Sequence, residues 1–314
     1  MARIVFMGTA DLACSILQAL CREPSLEIVA VVSQPDKPRG RDQQLQATPV
    51  KAAALRAGLR ILQPERARDP AIVDELRLLG PELIVVAAYG QILPQALLDI
   101  PRHGCLNVHT SLLPKYRGAA PIQWAILDGQ PETGVTIMKM NAGLDTGDIV
   151  SQARTDIAPE DNAQTLHDRL ARMGGELLIA TIPDYLAGRI TPRAQSMDGA
   201  SYARKITRED GRIDWNQPAR MLWNRVRGLT PWPGSFTFQQ VAGKPRLLKI
   251  WSAQLEETTG GEPGKVLSAD VSGIVVACGT GALRMLEVQR EGGRRLSAKD
   301  FLVGNPMSPD ERLG

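Results

Sequence analysis

Residues 1–13 read MARIVFMGTADLA. Ile4 and Val5 sit in an apolar run from 3 to 7 that does not alternate with polar residues, which is the pattern of a strand buried on both faces. Strand-like runs recur at 27–33, 83–88, 106–108 and 135–140, most of them apolar enough to be buried on both faces. Helix-period segments separate them, and two carry clear punctuation. Thr48 and Pro49 form an N-cap and first-turn proline before 50–57, with Gly58 as the stop, and Asp69, Pro70 and Gly80 do the same around 71–79. A longer helix is expected at 164–186, where Leu166, Leu170, Met173 and Leu177 make one apolar face. This alternation predicts an α/β domain with a Rossmann-like, doubly wound, mostly parallel sheet. The first turn carries a single glycine, Gly8, where a dinucleotide site needs G-x-G-x-x-G, so NAD and FAD are disfavoured. Walker A and GxSxG motifs are also missing from the sequence.

The chain has 314 residues, enough for two domains, with 43% hydrophobic and 23% charged residues, as in ordinary globular proteins. Residues 191–204 lack an apolar period and carry Pro, Gly and Ser, so the composition predicts a first domain at 1–190, a linker at 191–206 and a second domain at 207–314. In the second domain short strand-like runs at 234–241, 246–252, 264–267, 273–278 and 282–288 predict a small, OB-like β barrel. The formal net charge of +3 falls in that part, where 15 Lys and Arg face 12 Asp and Glu. Trp215, Trp223, Trp232 and Trp251 also lie there and are expected in the barrel core rather than as base-stacking platforms. Four scattered cysteines support neither a disulfide framework nor a zinc site, and no metal is expected. No apolar run approaches 18 residues and no signal h-region is present, so a cytoplasmic protein without a membrane anchor is expected.

The stretch 105–123, CLNVHTSLLPKYRGAAPIQ, carries the densest chemistry. Asn107 and His109 are two apart, so on a strand their side chains share a face near its C-terminal end, where open α/β sheets place ligands. A histidine there suits either a packed strand end or proton transfer. The neighbouring amide favours polarisation of a carbonyl oxygen. The loop that follows is fixed by Pro114, Gly118 and Pro121, and its Lys115 and Arg117 are cations open to anions. Asp145, in Gly143-Leu144-Asp145-Thr146-Gly147-Asp148, reads alone as an Asx turn, and with Asn107 and His109 it completes an amide, imidazole and carboxylate set.

The runs LNVHTSLLPKYRGAAPIQWAI and GLDTGDI resemble the signatures of the folate-dependent formyltransferases. Further segments, SQPDKPRGR at 33–41, AAYGQILP at 87–94, YARKI at 202–206, GRIDW at 211–215 and RGLTPWPGSF at 227–236, are similar to the branch of that family that acts on methionyl-tRNA. One departure is Gly8-Thr9-Ala10-Asp11-Leu12-Ala13, where the family often reads GTPxFA. The resemblance implies transfer of the formyl group of the co-substrate 10-formyltetrahydrofolate to the α-amine of methionyl initiator tRNA by a monomer. The chief alternative keeps the core and changes the acceptor to a sugar nucleotide, a glycinamide ribonucleotide or water. Asn107, His109 and Asp145 match the catalytic positions, and Ser111, Leu112, Leu113 and Pro114 match the folate segment. Lys37, Arg39 and Arg41 match the basic loop used against tRNA, while Arg117 is left between a folate carboxylate and a tRNA phosphate.

Overall fold

The computed structural model describes residues 1–39, 44–258 and 260–314. The chain divides into two units: Met1–Pro121, Glu132–Asp156 and His167–Ala203 form the first, and Ile122–Pro131, Ile157–Leu166 and Arg204–Gly314 the second.

The first unit is built on a seven-stranded sheet in the order Asp148–Asp156, Glu132–Lys139, Cys105–His109, Leu83–Ala87, Ala2–Gly8, Leu26–Val32, Ile61–Leu62. The last five of these run parallel, and Glu132–Lys139 is antiparallel both to Cys105–His109 and to Asp148–Asp156. The apolar runs of the sequence are the central strands, and Ile4, Val5, Phe6, Leu83, Ile84 and Val85 have no exposed surface. At the first turn a Cβ on Gly8 would meet Ala13 Cβ at 2.8 Å and the Ala87 carbonyl at 3.0 Å, so only glycine lets strand and helix approach this closely. The Thr9 and Ala10 amides donate to the Ala88 carbonyl, at 3.2 and 3.4 Å, rather than pointing outward as a phosphate loop would have them.

Helix Pro49–Arg56 begins as expected, with Thr48 accepting from the Lys51 amide at 3.1 Å. Helix Pro70–Leu79 ends on the left-handed Gly80, but Asp69 makes no side-chain capping bond, so only the proline and glycine of the expected punctuation act there. The long helix spans Ala163–Leu186. Asp148–Asp156 escapes the sequence reading because an edge strand with one exposed side lacks an unbroken apolar run.

In the second unit five antiparallel strands pair in the order Ser235–Val241, Lys244–Glu256, Ala282–Arg290, Gly273–Ala277, Val266–Asp270, and Leu296–Ser297 adds to Ala282–Arg290. The two edges are joined by residues 310–314. Leu313 bridges Gln239 and Arg312 bridges Lys265, with the Leu313 amide on the Gly264 carbonyl at 2.8 Å and the Gly314 amide on Phe238 at 3.0 Å. The sheet is thereby closed into a small barrel. Helix Ala219–Gly228 packs Leu222 and Val226 into the barrel core beside Trp215. Periodicity passes over this helix because three arginines, Arg220, Arg225 and Arg227, are interspersed with its three core residues, Ala219, Leu222 and Val226.

The expectation of four core tryptophans holds for Trp215 and, at the core's margin, Trp223, and is corrected for Trp232 and Trp251. Trp215 is buried and donates to Thr237 Oγ1 at 3.0 Å, but Trp232 is 55% exposed. Trp223 lies between the guanidinium groups of Arg220 and Arg227, at 5.1 and 3.8 Å, and Trp251 between Lys249 and Arg295, each at 5.3 Å.

Candidate active site

Asn107 and His109 lie on the last half of strand Cys105–His109, opposite Met138 and Thr136 of the antiparallel neighbour. Asp145 reaches them from the loop between Glu132–Lys139 and Asp148–Asp156. Its carboxylate collects three groups. Oδ2 accepts the Gly118 amide at 2.8 Å and faces His109 Nδ1 at 3.7 Å, and Oδ1 accepts the Asn107 amide at 3.4 Å. The expected triad is therefore brought together, with His109 and Asp145 side chains only 6% and 14% exposed. Asp145 does not form the local Asx turn. Asn141 does, its Oδ1 accepting from the Gly143 amide and the Thr146 hydroxyl at 3.0 and 2.9 Å, which leaves the Asp145 carboxylate available.

His109 Nε2 lies 2.9 Å from the Tyr116 carbonyl. A carbonyl only accepts, so this nitrogen is assigned the proton and the neutral ring carries its lone pair on Nδ1, toward Asp145. The N–H of a neutral His109 is thus committed. Only the protonated ring presents a second one. Cys105, on the same strand, is buried, and desolvation pushes its thiol up to about 12, so it supplies no thiolate nucleophile at neutral pH.

Within the expected folate segment, Ser111 is fully buried with its hydroxyl on the Lys115 carbonyl at 2.6 Å. The Leu113 amide donates to Thr136 Oγ1 at 3.1 Å, its carbonyl accepts from Gln152 at 3.0 Å, and its side chain packs with Met138 and Ile149. Leu112 and Pro114 are half-buried. The main chain here supports the site from behind, and these two side chains retain the exposed apolar surface.

Arg117 is not available to a ligand. It is 2% exposed, and Nε and Nη2 donate to Gln195 Oε1 at 3.0 and 2.8 Å. Gln195 in turn donates from Nε2 to the carbonyls of Asp145 and Gly147, at 2.8 and 2.7 Å. Residues 193–203, irregular by composition, are sewn to the site along their length. Ile149 and Arg193 exchange two main-chain bonds, Tyr202 and Ala203 pair with Arg117 and Gly118, and the Tyr116 amide donates to Ser201 Oγ at 2.9 Å. A Cβ on Gly118, whose φ is +115°, would meet the Ala203 carbonyl at 2.8 Å. Sequence reasoning missed Gln195 and the main-chain groups of Tyr116 and Gly118, because nothing in spacing or composition marks them.

Lys37–Arg39 pairs with Gln44–Gln46 as a short hairpin, and the exposed Lys37 donates to Gln34 Oε1 at 3.0 Å. Arg41 lies outside the described residues. The hairpin rises from a fixed base, in which Asp36 pairs with Lys51 at 2.5 Å and accepts from Gln63 at 2.8 Å. The Lys51 ammonium holds the Asp36 carboxyl below its usual range. In the second unit Arg227 is half-buried and donates to the carbonyls of Ala158, Pro159 and Asp161, while Arg225 donates to the Asp210 carbonyl. These two arginines bind the unit to itself; Lys244 and Arg246 are exposed. Among the described residues no group of three or more His, Cys, Asp or Glu lies together as a metal site would need, and no helix is long and apolar enough to cross a membrane.

The first unit thus brings an amide, an imidazole and a carboxylate together on a mostly parallel α/β sheet. Residues 2–182 match the formyl transferase family, residues 205–306 match the formyl transferase C-terminal domain, and the chain belongs to this family. Its full-length relatives include the methionyl-tRNA formyltransferases of Geobacter metallireducens, 48% identical with 99% of this chain and 98% of the relative covered, and of Myxococcus xanthus, 48% identical with 98% and 96% covered. The fold is shared with the sugar 3N-formyl transferase WlaRD (TM-score 0.65, 18% identity, 91% of this chain and 97% of that one). It is also shared with HypX from Aquifex aeolicus, solved in complex with tetrahydrofolic acid (TM-score 0.60, 18% identity, 99% of this chain and 50% of that one).

Proposed function

We propose that this protein transfers the formyl group of 10-formyltetrahydrofolate to the α-amine of methionine on initiator tRNA. The observation that carries the reading is the meeting of Asn107, His109 and Asp145 in a chain similar to methionyl-tRNA formyltransferases over 99% of its length.

The amine lone pair forms a bond to the formyl carbon, and the carbonyl π pair moves onto oxygen. Asn107 points one Nδ2 hydrogen toward Asp145 and keeps the other for that oxygen. His109 Nδ1, unprotonated in the neutral ring, takes the proton that the attacking amine gives up. The resulting imidazolium directs Nδ1–H at Asp145 Oδ2 or the oxyanion, and the 3.7 Å gap leaves room for this contact to tighten. Collapse breaks the bond from carbon to N10, which receives a proton from the same imidazolium. No net proton is gained or lost. Leu112 and Pro114 offer apolar contact to the pterin, while Lys37, Arg39 and Arg41, with the exposed Lys244 and Arg246 of the second unit, offer charge to tRNA phosphates. In this reading catalysis resides in residues 1–190 and residues 207–314 add their tRNA contacts to those of the 37–41 loop, in the cytoplasm where charged tRNA is used.

The test is incubation with 10-formyltetrahydrofolate and either charged initiator or charged elongator methionine tRNA. Formyl-methionine on the initiator, with little on the elongator, is expected. Release of formate alone, or formylation of an amino sugar in its place, would overturn the reading.

A further inference from the structure

We infer that Gln195 is a positioning residue for formyl transfer, holding the Asp145 loop so that the carboxylate faces His109; this rests on the function proposed above. A primary amide has one acceptor oxygen and two N–H donors, and here all are used. The guanidinium of Arg117 can only donate, and it grips Oε1 with Nε and Nη2 at 3.0 and 2.8 Å. The amide therefore cannot flip. Nε2 must face the loop, where it donates to the Asp145 and Gly147 carbonyls at 2.8 and 2.7 Å.

The loop is helped by such a hold. Asp145 has φ +50°, a left-handed conformation uncommon outside glycine, which aspartate tolerates better than most residues and which anchored neighbours help to hold. Fixing its carbonyl and that of Gly147 fixes the Asp145–Thr146 and Gly147–Asp148 peptide planes, on either side of the Thr146–Gly147 pair, and so directs the carboxylate. The anchor is coupled to the rest of the site through the chain. Tyr116, just before Arg117, holds His109 Nε2 with its carbonyl at 2.9 Å, and Gly118, just after it, holds Asp145 Oδ2 with its amide at 2.8 Å. Three consecutive residues thus grip the imidazole, the carboxylate and, through Gln195, the backbone that carries the carboxylate. Gln195 itself touches none of the reacting atoms.

A simpler role, neutral company for a buried Arg117, makes a different prediction. Gln195→Glu keeps an acceptor, and adds charge, for the guanidinium while losing both donors to the loop. If Gln195 positions Asp145, this variant keeps its unfolding midpoint within a few degrees. Its kcat falls about 10- to 100-fold, and KM for formyl donor and for charged tRNA stays within about threefold. Gln195→Met, of the same length but with no polar atom, loses kcat likewise and covers the case in which the Glu variant does not fold. A readout free of activity is amide hydrogen exchange at Gly118. Exchange should speed up at least about tenfold in the variants, while Ala119, whose amide is on the Ala203 carbonyl at 2.8 Å, stays protected. Wild-type kcat in folded Gln195→Glu, a loss confined to KM, or unchanged Gly118 exchange would each overturn the inference. Absence of formyl transfer by the wild type would instead sink the proposed reaction, and the exchange result would still decide on Gln195.

Discussion

At the scale of the residue, Asn107 and Asp145 carry a test of the division between oxyanion support and binding. Asn107 donates to Asp145 Oδ1 at 3.4 Å, too long to be its main purpose, so its amide is free to answer charge on the formyl oxygen. Asn107→Ala should lower kcat about 10²- to 10³-fold and leave tRNA affinity within twofold, measured by single-turnover formylation beside a filter-binding titration. A matching loss of affinity would place the amide in ground-state binding instead. That Asn107 and His109 share a face is legible in the sequence, since a spacing of two on a strand fixes it. Asp145 is legible from its glycine-flanked loop only in combination with Asn107 and His109, since alone it reads as an Asx turn. Arg117 and Gln195 are not: an arginine in a polar loop looks like a ligand for anions, and only folding shows that a glutamine 78 residues away takes up its donors. Hydrogen-bond partners so distant in sequence leave no periodic trace.

Strands with an unbroken apolar run, the central ones among them, are legible in the sequence, while helix Asp11–Cys21, which buries Leu12, Ile16, Leu17 and Leu20, is not among the expected elements. Ala219–Gly228 buries Ala219, Leu222 and Val226 on a face that its three arginines obscure in the sequence, and the segment 193–203 takes its place through side-chain and main-chain hydrogen bonds that composition does not show. The short turn Glu209–Gly211 at the start of the barrel unit is held in the same way. Asp210 accepts from Arg204 Nη2 and Nη1 at 2.5 and 2.9 Å and from the Thr207 amide at 2.7 Å, while Arg204 stacks on Trp124 at 5.0 Å. The Arg204 guanidinium, then the Thr207 donors, hold the Asp210 carboxyl well below the usual carboxylate range. Because its folded pKa is depressed, the unfolded chain binds the extra proton on acidification. The contribution is therefore complete above an ordinary carboxylate pKa of about 4 and is lost as pH falls below it. Arg204 is 57% exposed, which screens the pair, so Asp210→Asn should cost about 1 kcal/mol at pH 7. Urea unfolding at pH 7 and at successively lower pH should show the gap between variant and wild type closing on acidification; a constant gap would mean that the loss is one of shape rather than charge.

For the whole molecule, a net charge of +3 and a pI of about 8.7 understate how the cations are deployed. Arg117, Arg225 and Arg227 are spent on internal carbonyl and amide oxygens, so they add to the formal charge without offering it to a partner. Lys37, Lys244 and Arg246 are exposed, and Lys37 and Arg39 sit in one hairpin whose base is fixed by the Asp36–Lys51 pair. Charge counting by domain therefore weights the wrong residues. If the hairpin meets tRNA phosphates, each cation that displaces a counterion contributes roughly 0.7 to 0.9 to the slope of log affinity against log salt. The double variant Lys37→Ala, Arg39→Ala should then flatten that slope by about 1 to 2, weakening binding most at low salt, with kcat at saturating tRNA nearly unchanged. Arg227→Met, by contrast, removes one charge from a residue already committed to three carbonyls, and should leave the slope unaltered in whatever fraction remains folded. Titrations of charged initiator tRNA between about 50 and 200 mM salt separate the two. Parallel slopes for the wild type and the hairpin variant would show that the hairpin touches no phosphate, whatever its effect on rate.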